Sequence, residues 1–286
     1  MHHRFYPSIA SISTHFIKYR ATTIGIAMSG SSIGGVTFPI MLQHLFSSLG
    51  FPWVVRISGF MCLGCCLIST AAVTSRLEHR QNEIKPWLDM RTFRNLQFMM
   101  LSVGSCFVSL GLFIPYFYIV DYAQAQSIPP SLAFYILSIM NAGSFVGRIA
   151  PSYLSDHFGH FNLLITAALL SGICCTAFWL CAKRLPAIVA FSALYGCFSG
   201  AFISLVNLCV FEISHVADMG SRMGLLYSMI AAPALVGGPI AGALLARGNR
   251  NNFTGMTVFV GIALLIGSLF IFMARLCIDK RFFARV

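Results

Sequence analysis

Eight apolar runs, each long enough to cross a bilayer as a helix, constrain this chain more than any motif in it. A spanning helix needs about 20 largely apolar residues, and such runs occupy about residues 22–46, 52–74, 98–121, 132–154, 162–182, 186–211, 223–246 and 255–276. They do not alternate polar with apolar residues over ~10 positions, which excludes the spans of a membrane β-barrel. Charged residues make up 9% of the chain, against about 25% in soluble domains, and this excludes a soluble globule. The fold class is therefore all-α, a polytopic membrane helical bundle with the lipid bilayer as its partner.

Inside the fourth run, Arg148 stands in an otherwise apolar helix. A guanidinium at the middle of a span costs roughly 2.5–3.5 kcal/mol on insertion scales, so it faces a polar interior, a cavity or a partner group rather than lipid. Ala142, Gly143, Ser144 and Gly147 lie on the turn before it and let a ligand or another helix come close. A functional site is the first reading. A structural arginine that snorkels to the interface beside Asp156 is the second.

The net charge of +11 does not mark a nucleic-acid partner, because the basic residues sit in the joints between apolar runs and not along one soluble face. With a cytoplasmic N-terminus, thirteen of them fall on the inner side, among them Arg76, Arg80, Lys85, Arg91, Arg94 and Arg222, and five on the outer side: Arg56, Lys183, Arg184, Arg247 and Arg250. The positive-inside rule selects this orientation, and an even number of spans puts both termini inside. The sequon Asn252-Phe253-Thr254 falls in the last outer joint, which makes Asn252 the candidate glycosylation site.

Cysteines such as Cys62, Cys65, Cys66, Cys174 and Cys175 lie within apolar runs and are expected as free thiols in the core. No second Cys/His pair follows Cys62-x-x-Cys65 at zinc spacing, so no metal and no cofactor is expected. No His-rich set, Ser/His/Asp arrangement or carboxylate pair appears inside the spans, which argues against an enzyme. The first 22 residues are too short to span and lack the apolar core of a signal peptide. Gly30-x-x-x-Gly34, in a run dense with small residues, is expected to form a helix-packing face, and Pro39 to kink that span. A P-loop needs a lysine after its second glycine, whereas Gly35 is followed by Val36.

Residues 75–97 form the one sizeable hydrophilic joint and divide two spans from six. The run from His15 to Gly30 resembles the entry to the fifth span of monocarboxylate-porter-like proteins of the major facilitator superfamily. Ile114-Pro115-Tyr116-Phe117-Tyr118-Ile119, then Asn141 to Pro151 with Arg148, and Gly238-Pro239-Ile240-Ala241-Gly242 are similar to the seventh, eighth and eleventh spans of the fungal branch. The resemblance implies a partial major facilitator fold. Residues 1–74 would be the remnant of an N-terminal bundle, 75–97 the cytoplasmic central loop and 98–286 a six-helix C-terminal bundle, with about four spans missing upstream. Gly238 and Gly242 are then expected at a packing face.

For function the resemblance implies a secondary transporter in the plasma membrane, moving a small organic anion or metabolite by alternating access, with a coupled proton in the family scheme. Arg148 would pair with the anionic substrate, and Asn141, Ser144, Tyr116 and Asn207 would line its path. Four residues before this arginine, where animal members carry a carboxylate, this chain has Ser144, which cannot titrate. Ser152 to His160 is similar to the superfamily's inner-loop gating motif, with Asp156 and Gly159 as its gating residues; a tight helix joint is the plainer reading of the same residues. Asn207 would hydrogen-bond substrate or a neighbouring helix, and Glu212 would form an interfacial ion pair with Arg222 or carry a proton. The alternative function is a remnant that inserts and packs without moving substrate.

Overall fold

A computed structural model describes residues 20–72, 92, 94–214, 218–247 and 252–278 of the chain. The first nineteen residues, most of the 75–97 joint, His215 and the C-terminal Lys280, Arg281 and Arg285 lie outside the described residues. The described part is helical: α1 (Arg20–Ala72), α2 (Leu96–Leu112), α3 (Ile114–Ala125), α4 (Pro130–Phe158), α5 (His160–Ile173) running into a π-helical turn at Cys174–Trp179, α6 (Leu185–Glu212), α7 (Met219–Arg247) and α8 (Thr254–Leu276). Helices satisfy every backbone group internally, which is the condition for crossing hydrocarbon. Eight segments of these helices are long and apolar enough to do so: Ala21–Phe46, Ser48–Ala71, Leu96–Ala125, Leu132–Phe158, His160–Trp179, Leu185–Glu212, Met219–Ala246 and Thr254–Leu276.

Two expected boundaries come out differently. The first two spans run on as α1, broken at Gly50, whose φ of 72° and ψ of 165° leave the helical region. A positive φ there suits a residue without Cβ. The backbone stays helical through Pro39, so the break lies eleven residues beyond the expected kink. The third span, in contrast, is two helices. Pro115 has no N–H to give the Gly111 carbonyl, and Phe113 donates to it instead, which ends α2 and starts α3.

The bundle is assembled by close backbone approach. A Cβ at Gly143 would overlap the Ala193 carbonyl oxygen, and one at Gly147 the Cys197 carbonyl oxygen, while Gly196 and Gly200 face the carbonyls of Met140 and Ser144. These pairs advance together along both helices, so α4 and α6 run parallel at backbone contact. Gly104 against Gly267, and Gly111 against Val260, set α2 antiparallel to α8 in the same way. Asn95 caps α2 by accepting from the Gln97 and Phe98 amides, and the Gln97 amide side chain reaches the Cys277 carbonyl at 3.1 Å, tying the start of α2 to the end of α8. At the same end of the bundle the Arg275 Nε donates to Asn162 Oδ1 across α8 and α5. All ten cysteines are free thiols.

Three of the four glycines expected to pack meet no other helix among the described residues. Nothing among the described residues lies within 4 Å of a Cβ placed on Gly30 or on Gly238, and Gly34 meets only Phe38 of its own helix. The close approaches are Gly25 and Gly35, against Arg148 and Ser152 and against Asn141, and Gly237 against the Leu110 carbonyl. At 3.6 residues per turn Gly25, Met28, Ser32 and Gly35 share one face of α1, and Gly30 and Gly34 point away from it. Gly242 keeps a packing role, because the Tyr118 hydroxyl lies against it and donates to the Gly238 carbonyl at 3.3 Å.

Candidate functional site

Arg148 is 8% exposed, so a full charge is held inside the bundle. Among the described residues it is hydrogen-bonded to no carboxylate. The hydrogen bonds it makes go to neutral acceptors on two helices: Nη1 donates to the Met28 carbonyl at 2.7 Å and to Ser31 Oγ at 2.5 Å on α1, and Nε donates to Ser144 Oγ at 3.3 Å on α4 itself. Ser144 is buried and also accepts from Ser32 Oγ at 3.3 Å. The arginine therefore reaches across the α1–α4 seam instead of turning toward Asp156 at the helix end. Two tyrosines, Tyr116 and Tyr227, stand within electrostatic reach of it.

Those tyrosines come from different helices and are fixed by polar partners on α6. Tyr116 of α3 shares a 2.9 Å hydrogen bond with Ser199, and its ring lies 6.1 Å from that of Tyr195. Tyr227 of α7 donates to Asn207 Oδ1 at 2.8 Å, while the Asn207 amide donates to the Ile203 carbonyl of its own helix. The arginine is thus hydrogen-bonded from α1 and α4, and α3, α6 and α7 add neutral, hydrogen-bonding and aromatic groups within its electrostatic reach. Asn141, one turn before Ser144, donates to the Leu137 carbonyl at 3.0 Å and presents its oxygen to Gly35. Such a lining can hold an anion and stack an unsaturated body against phenol rings.

At the Gly159 end of α4 the chain turns sharply. Gly159 is at φ 92°, and its amide donates to the Ser155 carbonyl, so α5 starts one residue later. Asp156 accepts from Thr22 Oγ1 at 2.9 Å and from the Ala21 and Thr22 amides at 3.4 Å. It caps the N-terminus of α1, where unpaired N–H groups and the helix dipole favour a carboxylate. His160 Nδ1 lies 3.0 Å from Ser155 Oγ within the same turn. Near the end of α6, Arg222 donates to the Ile213 carbonyl at 2.5 Å and lies near Ser214, while Glu212 is exposed. At the opposite end of the bundle Asn252 is exposed, its Oδ1 accepting from the Thr254 amide. It sits on the rim of a cavity of about 320 Å³ that Tyr122, Gln126, Trp179 and Lys183 also line.

Two matches to known sequences accompany this arrangement of helices: the Major Facilitator Superfamily profile covers residues 5–182 and again 149–280. The chain belongs to the Major Facilitator Superfamily. Among superfamily members it is 36% identical, over 275 residues, to an MFS-type transporter of Gibberella moniliformis, covering 96% of this chain and 66% of that relative. It is 37% identical to the agnestins efflux protein AgnL12 of Paecilomyces divaricatus, over 94% of this chain and 61% of the relative, and 34% identical to the aspyridones efflux protein apdF of Emericella nidulans, over 94% and 55%. The chain thus spans a little over half to two thirds of the length of these superfamily relatives. It is an integral, multi-pass membrane protein.

Sequence reasoning singled out Arg148, Ser144, Tyr116, Asn141 and Asn207, and the structure gathers Arg148, Ser144 and Tyr116 closely, with Asn207 joined through Tyr227. It did not find Ser31, Ser32 or the Met28 carbonyl. Their only signal was the small-residue density of the run from Gly25 to Gly35, and a backbone carbonyl carries no sequence signal at all. Ser199 and Tyr227 were missed because isolated hydroxyls in apolar helices look alike until their neighbours are known.

Proposed function

We propose that this chain is the substrate-bearing part of a secondary carrier that moves a small organic anion or metabolite across the membrane, with Arg148 as its anion-recognising group. One observation carries the reading: a buried guanidinium is held by neutral acceptors, so a cargo carboxylate or enolate is the natural partner for its charge. The tyrosines around it supply stacking surface and hydroxyls. Two relatives are efflux proteins for agnestins and aspyridones, which supports an organic metabolite as cargo and export as direction. Alternating access would rock the part containing α1 against the α2–α8 bundle about this site. Since Ser144 cannot titrate, a coupled proton would have to be carried elsewhere.

The positive-inside asymmetry puts the Gly159 end of α4 and both termini in the cytoplasm and Asn252 outside, with the plasma membrane as the expected location and Asn252 as the glycan acceptor. Asp156 and Gly159 are then the inner gate.

A second reading, a chain that inserts and packs without moving solute alone, is favoured by the second half of α1. Within Ser48–Ala71 Val54 alone is buried, and Phe51, Phe60, Leu67 and Ile68 are more than 60% exposed. One experiment separates the two. Proteoliposomes carrying the purified chain are loaded with labelled organic anions, and saturable flux that disappears in Arg148→Ala supports the carrier. Absence of flux in the folded, inserted chain supports the second reading.

A further inference from the structure

Arg148 has two claims on it. Its Nη1 serves two acceptors on α1, and its Nε serves Ser144, which in turn holds Ser32 of α1. A guanidinium grips a carboxylate with a pair of parallel N–H donors, from Nη1 and Nη2 or from Nε and Nη2. Both N–H groups of Nη1 are engaged, so a carboxylate on the first pair takes one of them from Met28 or Ser31. On the second pair it takes Nε away from Ser144, the hydroxyl that receives Ser32. In the first pose the cargo displaces a bond between α1 and α4; in the second it displaces one within α4 and leaves Ser32 on Ser144.

Ser31 is exposed although it bonds a buried arginine, so the α1 end of the contact lies at the surface of the described residues. Its hydroxyl also donates to the Met28 carbonyl at 3.1 Å, which orients both acceptors toward Nη1.

We propose that Ser31 and the Met28 carbonyl occupy Arg148 in competition with the cargo anion, so that anion binding and docking of α1 on α4 exclude each other. The inference rests on the reading of Arg148 as the anion-recognising group. It turns a binding residue into a latch. The empty site closes the seam on itself, and an arriving anion releases α1 by taking over its hydrogen-bond donors. Linkage makes the effect reciprocal: whatever weakens the hold of α1 on Arg148 must tighten anion binding by the same factor.

The test uses the full chain in nanodiscs, benzoate as the anion, and benzamide as its uncharged control. Benzoate affinity is measured by calorimetry, and docking of α1 by hydrogen exchange of the amides of residues 24–32. Ser31→Ala is expected to bind benzoate about tenfold tighter, the scale of one hydrogen bond to a charged group. It should also exchange its α1 amides about tenfold faster without any ligand, and Ser31→Thr should restore both values. In the unmodified chain benzoate, and not benzamide, should speed exchange in α1. A serine that only supports structure would not tighten anion binding when removed. Unchanged or weaker benzoate affinity in Ser31→Ala overturns the competition, as does unchanged α1 exchange in that variant without ligand. Arg148→Gln separates the two layers. If it binds benzoate as well as the unmodified chain, the reading of the site itself fails. If it loses benzoate while Ser31→Ala behaves like the unmodified chain, the latch alone fails.

Discussion

Helix α4 has two working faces built on opposite principles. Toward α6 it is dry: Gly143 and Gly147 lie on the Ala193 and Cys197 carbonyls, and Gly196 and Gly200 return the same contact. Toward α1 it is hydrogen-bonded along its length, through Asp156 to Thr22, Arg148 to Met28 and Ser31, and Ser144 to Ser32. Lipid is as apolar as a helix surface, so the dry seam is held by van der Waals fit and has one geometry. The polar seam is different because each of its bonds can be exchanged for water or a ligand as α1 withdraws. A carrier needs both kinds, one to keep a bundle rigid and one to let its halves separate.

The dry seam should be the more expensive to disturb. Gly147→Val places a side chain where the Cys197 carbonyl already sits, and two backbones cannot both give way. Overpacking of this kind costs about 3 kcal/mol or more. The expected result is a chain that no longer purifies as a single species, judged by size-exclusion chromatography in detergent. A normally folded Gly147→Val protein would show that α4 and α6 are less tightly joined than their glycines imply.

Gly25→Val tests the other face at the same level of crowding. Its Cβ would meet the Arg148 carbonyl and the Ser152 side chain. Since α1 touches the bundle through this seam, we expect α1 to undock at about 2 kcal/mol while α2–α8 stays folded. Limited proteolysis should then cut near α1 and leave the remainder intact. Collapse of the whole chain would mean that α1 belongs to the rigid body.

Asp156→Asn is milder. The amide oxygen can still accept from Thr22, but the charge that complements the start of α1 is gone, a loss of about 1 kcal/mol. Faster hydrogen exchange confined to the first turns of α1 is the expected reading, with the melting of α2–α8 unmoved.

The spans and the special status of Arg148 were legible because both are violations or fulfilments of one rule, that hydrocarbon excludes unsatisfied polarity. The joint near Gly50 was legible in outline, since Gly50 and Pro52 interrupt an apolar run. The split between α2 and α3 was written in Pro115 but read through, because hydropathy does not register a missing N–H. What α1 presents to α4 was not legible. Small residues occur all around its first turns, and the pattern Gly30-x-x-x-Gly34 fits a packing motif as well as Gly25 and Gly35 do. Which face is buried depends on the helix opposite, and that partner is more than 100 residues away in sequence.

This gives the smallest and sharpest test of the comparison. If the polar seam is the face containing Gly25, Met28, Ser32 and Gly35, then Gly30 and Gly34 lie away from it, and a methyl group on either meets open space or the Phe38 ring of α1 itself. Replacing both by alanine removes two flexible residues from a helix interior, which by propensity favours the helix by about 1 kcal/mol per site in an exposed position. Part of that gain is lost in a membrane, where the unfolded reference is already helical. The double variant should therefore melt within a few degrees of the unmodified chain, at or above it, and keep the same α1 exchange pattern. A drop comparable to that of Gly25→Val would mean that a second helix packs on the Gly30 face, and that α1 has two seams of which the polar one is only the first.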